Sequence, residues 1–353
     1  MSSTEPNITS TTEHGAILEQ PAAPDPEALI QADSNEGSEF DSALGDDASV
    51  ASETLASSIY NYSYQHGRRY HAYRRGEYLL PNDEAEQARL DLHHHVFRLA
   101  LGGRLVRAPI STSPQRVLDF GTGTGIWAMD FGDEFPSAQV IGTDLSPIQP
   151  DWVPPNVKFY VDDIESDWVD ADGGEFGYDF IHGRAMSGSI KDWDRLYHQA
   201  LQSLRPGGWL EMQEYETWLE SDDDVDLTQA PYLKQWQDEV NRGSTVFGKE
   251  LDIAKEQKQR LIEAGFVDVR DDVYKVPVGT WPREPKLKEL GKFQMAQVCS
   301  AIEPFALGFL THALNWSEDE CHVLVARVVK ELQNKQNHFY VNFHYVYGRK
   351  AEA

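Results

Sequence analysis

The amino-acid sequence predicts an α/β fold built around a mostly parallel sheet. From Arg116 onward, short apolar runs alternate with amphipathic stretches, which is the pattern of successive βα units. A glycine-rich turn follows the first run and precedes a helix, as is common where a ligand approaches the backbone. The chain has 353 residues, 40% of them hydrophobic, and can therefore bury one large core or two small ones.

Seven apolar segments are the expected strands. Five lie at 116–120, 139–143, 157–161, 178–182 and 208–214, and two more lie near 266–276 and at 338–348, where aromatic and β-branched residues are dense. The helix before the fifth strand has one apolar face, formed by Leu196, Ala200, Leu201 and Leu204. We expect this helix to end at the Pro-Gly-Gly sequence of residues 206–208.

The rest of the chain divides into flanking segments and insertions. Residues 59–110 are expected to form a helical lid segment, in which a helix begins with Asn82 as its N-cap and ends at Gly103. Residues 111–353 then form the main domain. Two stretches of it, 216–248 and 277–337, are surplus to an alternating sheet, and we expect both to be helical and to cap an active site.

An acidic segment is expected to precede the folded part. Residues 1–58 contain 12 Asp and Glu, no Lys or Arg, and a single aromatic residue, Phe40. Such a segment buries too little apolar surface to offset the entropy of ordering, so we expect a disordered tail. Two roles are open for it: a solubilising leader, or a regulatory arm that carries phosphorylatable Ser and Thr.

Composition excludes several classes of protein. The net charge of −27 disfavours direct binding to nucleic acid, which draws on clustered Lys and Arg. Residues 1–21 lack the basic and apolar regions of a signal peptide, and the apolar window 301–316 is too short and polar to cross a membrane. Cys299 and Cys321 form no CxxC pair, so neither a disulfide framework nor a thiolate metal site is expected. We expect the cytosol or nucleus rather than secretion.

The glycine turn predicts a nucleotide-like ligand. Gly121, Gly123 and Gly125 follow a strand and precede a helix, so no Cβ separates the backbone from a ligand there. A dinucleotide fingerprint needs glycine at 126, where the chain has Ile126, and the Lys of a phosphate-binding Walker loop is missing. A turn that is glycine-rich for steric reasons alone is the alternative.

Acidic residues at the ends of the next two strands extend this prediction. Asp144 ends the second strand, where a carboxylate can accept hydrogen bonds from both hydroxyls of a ribose. Asp162, Asp163 and Ile164 follow the third strand, where a carboxylate can accept from an adenine amino group while Ile164 packs against the ring. The alternatives are a turn cap at Asp144 and a solvated acidic loop after the third strand.

These residues together resemble a known family. The DFGTGTG sequence, Asp144, the DDI at 162–164 and RPGGWLE at 205–211 resemble the class I S-adenosylmethionine-dependent methyltransferases. Residues 70–95, 162–168 and 182–193 narrow the resemblance to the fungal LaeA-like methyltransferases. The resemblance implies a Rossmann-like sheet of seven strands, six parallel and the last antiparallel, with S-adenosyl-L-methionine bound over the carboxyl ends of the strands.

The resemblance also implies roles for individual residues. The turn around the cofactor's methionine and ribose would contain Asp119, Gly121, Thr122, Gly123 and Gly125. Asp144 and Leu145 would hold the ribose, and Asp162, Asp163 and Ile164 the adenine. Residues 70–80 would form a lid, with Tyr70, Tyr73 or Tyr78 facing the sulfonium and Arg74 or Arg75 pairing with the methionine carboxylate. Simple packing of the segment is the alternative for the lid aromatics.

Catalytic residues are harder to predict, because methyl transfer from a sulfonium depends mainly on positioning. His182 and Glu214, at strand ends, are weak candidates for a general base, although a histidine there can equally serve to hydrogen-bond the backbone. Arg184 and Met186 are candidates for the mouth of the pocket, and Trp218, Trp236 and Trp281 for its walls. The consecutive His93, His94 and His95 cannot converge on a metal, and no metal site is expected.

Three functions remain open from the sequence. The first is an enzyme that methylates a small molecule, such as a fungal secondary metabolite. The second is a nuclear regulator of secondary metabolism and development, which acts in a complex with a protein partner and has a protein acceptor or none. The third is a degenerate methyltransferase retained as a scaffold, which the intact glycine turn, Asp144 and Asp163 disfavour.

Overall fold

A computed structural model describes residues 17–33, 62–74, 76–168 and 177–352. Predictions that concern residues 1–16, residues 34–61 and Arg75 lie outside this range. The described strands are β1 (Ser63–Gln65), β2 (Arg68–Tyr70), β3 (Arg116–Phe120), β4 (Gln139–Asp144), β5 (Val157–Val161), β6 (Tyr178–Arg184), β7 (Leu204–Tyr215), β8 (Glu220–Ser221), β9 (Val267–Pro277) and β10 (Phe339–Arg349).

The central sheet has the strand order β5-β4-β3-β6-β7-β10, and β10 also pairs with β9 and with the two-residue β8. The first five strands of this order are mutually parallel. Strand β10 is antiparallel to both β7 and β9, so β9 runs in the same direction as the parallel strands. The predicted Rossmann-like sheet, six strands parallel and the last antiparallel, is thereby confirmed, with β8 added at one edge.

The α-helices are α1 (Glu84–Ala100), α2 (Ile126–Glu134), α3 (Trp193–Ser203), α4 (Pro231–Phe247), α5 (Gln257–Ala264), α6 (Pro285–Phe305), α7 (His312–Leu314) and α8 (Glu318–Leu332). A 3-10 turn spans Ala254–Glu256, and a π-helix, Ala306–Thr311, joins α6 to α7. The two surplus stretches therefore contain helices: α4 lies in the first, and α6, α7 and α8 lie in the second. None of the described helices combines the length and the hydropathy that crossing a bilayer requires.

Two helix boundaries differ from the prediction. The N-cap of α1 is Asp83, whose side chain accepts a hydrogen bond from the backbone N–H of Glu86, whereas Asn82 donates its side-chain amide to Ser146 Oγ. Helix α3 ends at Ser203, because Leu204 is already extended and pairs with Tyr178 of β6. The Pro-Gly-Gly sequence at 206–208 therefore lies within β7 rather than at the end of a helix.

The lid segment contains a hairpin as well as the predicted helix. Strands β1 and β2 pair in antiparallel register, with Ser63 opposite Tyr70. Arg68 donates two hydrogen bonds to Asp83, at 2.5 and 2.8 Å, and this bidentate pair fastens the hairpin to the start of α1. Residues 76–82 follow, and Glu77, Tyr78, Pro81 and Asn82 line a cavity together with the carboxyl ends of the sheet strands.

Part of the acidic segment that is expected to be disordered, residues 17–33, lies against the folded body. The backbone N–H of Leu18 donates to the Ile110 carbonyl at 3.0 Å, and that of Asp33 donates to the Trp281 carbonyl at 2.6 Å. The Asp33 carboxylate also pairs with Lys288. Composition predicts disorder because the segment has few apolar side chains to bury. Backbone hydrogen bonds to the body can also hold a segment in place, and composition does not reveal them.

Helices pack on both faces of the sheet and leave the strand ends open to the lid. On one side α1 covers β10 through Phe97, where Phe343 and Tyr345 are fully buried, and α4, α6 and α8 contribute to the same apolar core. Elsewhere α3 and α5 cover β6 and β7, and α2 packs through Trp127 and Phe131 against β3 and β6. This close packing fixes the carboxyl ends of β3, β4, β5 and β6 at one edge, where the predicted site residues lie.

Candidate functional site

The glycine turn leaves β3 with three residues in the left-handed region, where φ is 63° at Gly121, 59° at Gly123 and 79° at Gly125. Hydrogen bonds secure the turn from two sides. The Thr122 backbone N–H donates to the Thr143 carbonyl at 2.9 Å, and Thr124 Oγ1 donates to Asp91 Oδ1 of α1 at 2.6 Å. The turn is therefore fixed in shape before any ligand binds.

Gly123 and Gly125 serve different purposes in this turn. A Cβ on Gly125 would lie 2.4 Å from Phe159 Cζ, so glycine is needed there for packing against β5. A Cβ on Gly123 would meet only Leu90 Cδ1, at 3.5 Å, and Gly123 lines a cavity. The steric explanation therefore applies to Gly125, whereas the bare backbone at Gly123 faces space that a ligand can occupy.

The Asp144 carboxylate lies beside this bare backbone. Its Oδ2 accepts from the Gly123 backbone N–H at 2.8 Å, and its Oδ1 accepts from the Ser146 backbone N–H at 2.8 Å. Burial raises the pKa of Asp144 to about 6, although both backbone hydrogen bonds act to lower it. A half-buried carboxylate fixed by two N–H groups still has lone pairs for further donors, such as hydroxyl groups.

A cavity of about 130 Å³ lies over the carboxyl ends of β3, β4, β5 and β6. Seven of the predicted cofactor residues line it: Gly121, Gly123, Asp144, Leu145, Asp162, Asp163 and Ile164. Tyr78 from the lid, Arg184 at the end of β6 and Met186 just after it also line the cavity. The apolar side chains of Leu145 and Ile164, flanked by carboxylates, give this part of the cavity the mixed character that an adenosine requires.

Asp119 at the end of β3, and Thr122 and Gly125 within the turn, lie outside the cavity lining. Asp119 is buried, and its Oδ1 accepts from the His182 ring at 2.7 Å. Its Oδ2 accepts from Thr122 Oγ1 at 2.5 Å. Asp119 thus links the turn, through Thr122, to β6, through His182. Direct contact with a cofactor stays a prediction for these three residues.

His182 and Glu214, the candidate general bases, are both buried and hydrogen-bonded within the fold. The His182 ring is fully buried and stacks on Trp127 with centroids 3.7 Å apart, and burial lowers its pKa. Glu214 is equally buried and accepts from the Met186 backbone N–H at 2.8 Å and from Ser187 Oγ at 2.9 Å. Burial raises the pKa of Glu214 to about 7. Both side chains position the strand ends around the cavity.

The lid residues occupy three different environments. Tyr78 lines the cavity, whereas Tyr70 is buried in the hairpin and Tyr73 lies outside the cavity lining. Arg74, half exposed, lies 3.3 Å from Asp163 Oδ2 and donates to Ser166 Oγ at 3.2 Å. The sequence prediction that Arg74 pairs with the cofactor's carboxylate is therefore not supported by its position, because Arg74 ties the lid to the loop after β5.

A second cation holds the lid from the insertion side. Lys249, which follows α4, is 4% exposed and donates from Nζ to the Glu77 carbonyl at 2.7 Å. The same Nζ lies 3.2 Å from Glu165 Oε2, and Glu165 Oε1 accepts from the Lys191 and Asp192 backbone N–H groups. Lys249 therefore joins the lid, the loop after β5 and the loop after β6 at one point on the cavity wall.

Arg184 is held by a hydrogen-bonded chain that leads out of the cavity. Its Nη1 donates to His94 Nδ1 at 3.0 Å, and His94 Nε2 lies 3.1 Å from Asp130 Oδ2. Burial lowers the pKa of Arg184 to about 10 and that of His94 to about 4. His94 is therefore neutral at pH 7, and its Nε2 carries the proton that Asp130 accepts.

Comparison with known proteins identifies the family. Residues 92–270, half of the chain, match the sequence profile of a family described as a methyltransferase domain. The chain is 41% identical to the methyltransferase pytC of Aspergillus terreus, over 86% of this chain and 93% of that protein. The chain is a class I S-adenosylmethionine-dependent methyltransferase. Its LaeA-like character follows from two further relatives.

The secondary metabolism regulator LAE1 of Cochliobolus heterostrophus is 36% identical, over 82% of this chain and 94% of that protein. The protein-methionine methyltransferase laeA of Emericella nidulans is 33% identical, over 81% of this chain and 76% of that protein. The family resemblance inferred from the sequence is thereby confirmed: this methyltransferase is of the LaeA-like type, and its methyl donor is S-adenosyl-L-methionine.

Other residues singled out from the sequence of this LaeA-like methyltransferase lie away from the cavity. Trp218 and Trp236 pack in the helical insertions, and Trp281 stacks on His338. His93 packs among Phe97 and Tyr215, and His95 packs on Phe293. Within the described ranges no group of three or more metal-binding side chains occurs.

Several residues that line the cavity are not among the site residues predicted from the sequence. Asn82 and Leu90 come from the lid and α1, and Ser189, Ile190 and Lys249 come from the loops after β6 and α4. The position of Ser189 and Ile190 soon after β6 is a signal that could have identified them, because carboxyl ends of parallel strands meet at one edge. Lys249 has no such signal, since it lies in an insertion far along the chain.

Proposed function

We propose that the cavity over β3 to β6 is the cofactor site of this LaeA-like methyltransferase and that its acceptor is a small molecule, such as a fungal secondary metabolite. The single observation that supports the acceptor proposal is the lid beside the cavity. Tyr78 of the lid lines the cavity, and Arg74 and Lys249 tie the lid to the body. A recessed cavity lined on several sides admits a compact ligand more readily than a segment of polypeptide.

The residues present fit S-adenosylmethionine. Gly123 offers a backbone with no Cβ in the way, Asp144 offers a fixed carboxylate for ribose hydroxyls, and Ile164 offers an apolar surface for adenine. Tyr78 lines the same cavity and supplies an aromatic ring that a positive sulfonium would favour.

When bound, the cofactor supplies an activated methyl group. The task left to this chain is then to hold the acceptor in line and exclude water. His182 and Glu214 are buried and engaged elsewhere, which argues against a general base at either position. We infer that catalysis rests on positioning by the lid and by the loop after β6, without proton transfer to a dedicated side chain.

A protein acceptor is a second candidate, favoured by one observation. Met186 lines the cavity and its Sδ packs directly against Gly121, where a Cβ would lie only 2.2 Å away. One relative is called a protein-methionine methyltransferase. Methylation of the Met186 thioether would form an S–CH₃ bond there, break the donor's S–CH₃ bond, and transfer the positive charge from the donor sulfur to the methionine sulfur.

Regulation in the nucleus with a protein partner is the broader form of this second candidate. The relative LAE1 is called a secondary metabolism regulator. The relative laeA of Emericella nidulans is called a protein-methionine methyltransferase. Cys299 and Cys321 are both free thiols, which favours a reducing compartment, cytosol or nucleus. The high acidity of the chain supports a protein or small-molecule partner over nucleic acid.

One experiment separates the candidates. Fungal cell extract is incubated with the protein and S-adenosylmethionine that carries an isotopically labelled methyl group, and metabolites and peptides are analysed by mass spectrometry. Label on a metabolite supports the first candidate, whereas label confined to polypeptide contradicts it. Purified protein incubated alone, with Met186→Leu as the control, tests the internal methionine: label on wild type that is absent from the variant supports that acceptor.

A further inference from the structure

Arg184 lines the cofactor cavity as a cation that forms no direct ion pair with a described residue. The other cation among the described lining residues, Lys249, lies close to Glu77 and Glu165. No described carboxylate lies within 4.0 Å of the Arg184 guanidinium, whose described hydrogen-bond acceptor is the neutral His94 Nδ1 at 3.0 Å. The carboxylates of Asp119, Asp130 and Asp91 act on its charge only from a greater distance. A partly buried guanidinium without a direct ion pair favours binding of an anion.

The Arg184 side chain is also held rigidly in place. Nη1 is fixed by His94, which is fixed in turn by Asp130, and Arg98 Nη1 pairs with the same Asp130 oxygen at 2.6 Å. The guanidinium carbon lies 5.3 Å from the centre of the Phe97 ring. Preorganisation of this kind reduces the entropy lost when the guanidinium binds a ligand, and it leaves other N–H groups of the planar fork for a carboxylate.

The strand order places Arg184 at a defined part of the site. Along the open edge of the sheet the order is β5, β4, β3, β6, which corresponds to Ile164, Asp144, the glycine turn and then Arg184. If adenine lies at β5 and ribose at β4, as proposed above, the β6 end faces the amino-acid half of the cofactor and the acceptor. Arg74, one of the two candidates from the sequence, lies at the opposite end beside Asp163.

We propose that Arg184 binds a carboxylate-type anion inside the cavity, oriented by His94 and Asp130. This inference rests on the proposed cofactor site. The anion has two possible sources with the same chemistry: the carboxylate of the cofactor's methionine, or an acidic group of the acceptor. An acceptor that arrives as an anion needs no general base, which agrees with the engagement of His182 and Glu214 elsewhere.

Calorimetry with two cofactor analogues tests the proposal. S-adenosylhomocysteine carries the amino-acid carboxylate, whereas 5′-methylthioadenosine contains the adenosine but lacks that group. Binding of both is measured for wild type, Arg184→Gln, Arg184→Lys and the matched control Arg74→Gln. Binding of 5′-methylthioadenosine reports on the adenosine site and on folding. If wild type does not bind this analogue, the proposed function is contradicted rather than the role of Arg184.

If the cofactor is the source, Arg184→Gln weakens binding of S-adenosylhomocysteine by roughly 10- to 100-fold and leaves 5′-methylthioadenosine unchanged, while Arg184→Lys recovers part of the loss. If the acceptor is the source, both analogues bind normally, and benzoate added to the S-adenosylhomocysteine complex binds to wild type but not to Arg184→Gln. Equal behaviour of wild type and Arg184→Gln toward both analogues and benzoate would overturn the proposal, as would a selective loss in Arg74→Gln alone.

Discussion

The Asp144 carboxylate accepts a hydrogen bond from the backbone N–H of Gly123 at 2.8 Å, which joins the end of β4 to the turn that leaves β3. This contact sets the distance between the bare backbone and the carboxylate, the two features on which the proposed cofactor site depends. It also ties the ionisation of one side chain to the shape of the turn, because only the charged form has both oxygens free to accept from N–H and O–H donors.

Asp144 predicts a pH dependence of cofactor binding. Its pKa is raised to about 6 by burial, and ribose hydroxyls bind the ionised form, so protonation competes with binding. We expect the affinity for S-adenosylhomocysteine to be constant above about pH 7 and to fall by up to about tenfold per pH unit below pH 6. Calorimetry between pH 5 and 8 measures this dependence.

Asp144→Asn keeps the shape of the side chain and an oxygen for the Gly123 N–H, but removes the charge. This variant should bind at least about tenfold more weakly at pH 7 and show a flat pH profile. Asp162→Asn, on the next strand end, is the matched control and should keep the wild-type profile. A wild-type profile in Asp144→Asn would rule out Asp144 as the titrating group.

Gly123 and Gly125 of the turn predict different effects of the same substitution. Gly125→Ala adds strain at a φ of 79° and brings a Cβ to 2.4 Å from the Phe159 ring, so the free energy of unfolding should fall by about 2–3 kcal/mol. Gly123→Ala adds only the strain of a φ of 59°, for a loss of about 1 kcal/mol. Urea denaturation measures both values.

A second substitution checks the cause of the larger effect. In Gly125→Ala combined with Phe159→Leu, the smaller side chain removes the clash, so the double variant should lose less stability than the sum of the two single variants. Strict additivity would mean that Phe159 is not responsible. Gly123→Ala should weaken cofactor binding more than Gly125→Ala relative to its effect on stability, because Gly123 is the glycine that faces the cavity.

The strand-end residues were predictable because parallel strands bring their carboxyl ends to one edge. That rule alone places Gly123, Asp144 and Ile164 together. The roles of Asp119 and His182 needed the register as well: the two residues lie opposite each other on β3 and β6, so two buried polar side chains can satisfy one another. Once the strands are paired, their mutual hydrogen bond explains why neither faces the cavity.

The remaining site residues could not be predicted from local sequence. Lys249 follows a helix in an insertion, and its contact with Glu77 spans 172 positions of the chain. Asn82 and Asp83 are adjacent and both can cap a helix, so sequence cannot decide which caps α1 and which reaches Ser146. The position of segment 17–33 could not be predicted either, because its backbone pairs with residues far along the chain.

Lys249 predicts that the helical insertion controls the lid. Lys249→Met keeps the length of the side chain but removes the charge that joins Glu77 and Glu165, which are left without their common partner. We expect faster hydrogen exchange in residues 71–82 and roughly tenfold weaker binding of S-adenosylhomocysteine. Exchange is measured by mass spectrometry and affinity by calorimetry.

Arg74→Gln is the control for Lys249→Met, because it removes a lid contact that is half exposed to solvent. Such exposed pairs contribute little, so its effect on affinity should stay within about fivefold. Unchanged exchange in residues 71–82 of Lys249→Met would show that packing of the lid, rather than this ion pair, holds it closed.

His344 in β10 predicts a loss of stability at alkaline pH. Its Nδ1 lies 2.9 Å from Asp271 and its Nε2 lies 3.1 Å from Glu216, so both ring nitrogens face carboxylates. Burial acts to lower its pKa, but the two hydrogen bonds and charges outweigh burial and raise it to about 9. Because the folded pKa exceeds the unfolded value of about 6.5, the stabilisation is complete below pH 6.5 and is lost as the pH rises through 9.

The wild-type protein should therefore lose about 3 kcal/mol of unfolding free energy between pH 6.5 and 9.5 that His344→Gln does not lose. His338→Gln is the control, because His338 forms an exposed pair with Asp223, and it should follow the wild-type curve within about 1 kcal/mol. Urea denaturation at half-unit pH steps measures the three curves. Parallel curves for wild type and His344→Gln would mean that His344 is neutral at pH 7 and that the carboxylates on either side of it do not hold a charged ring.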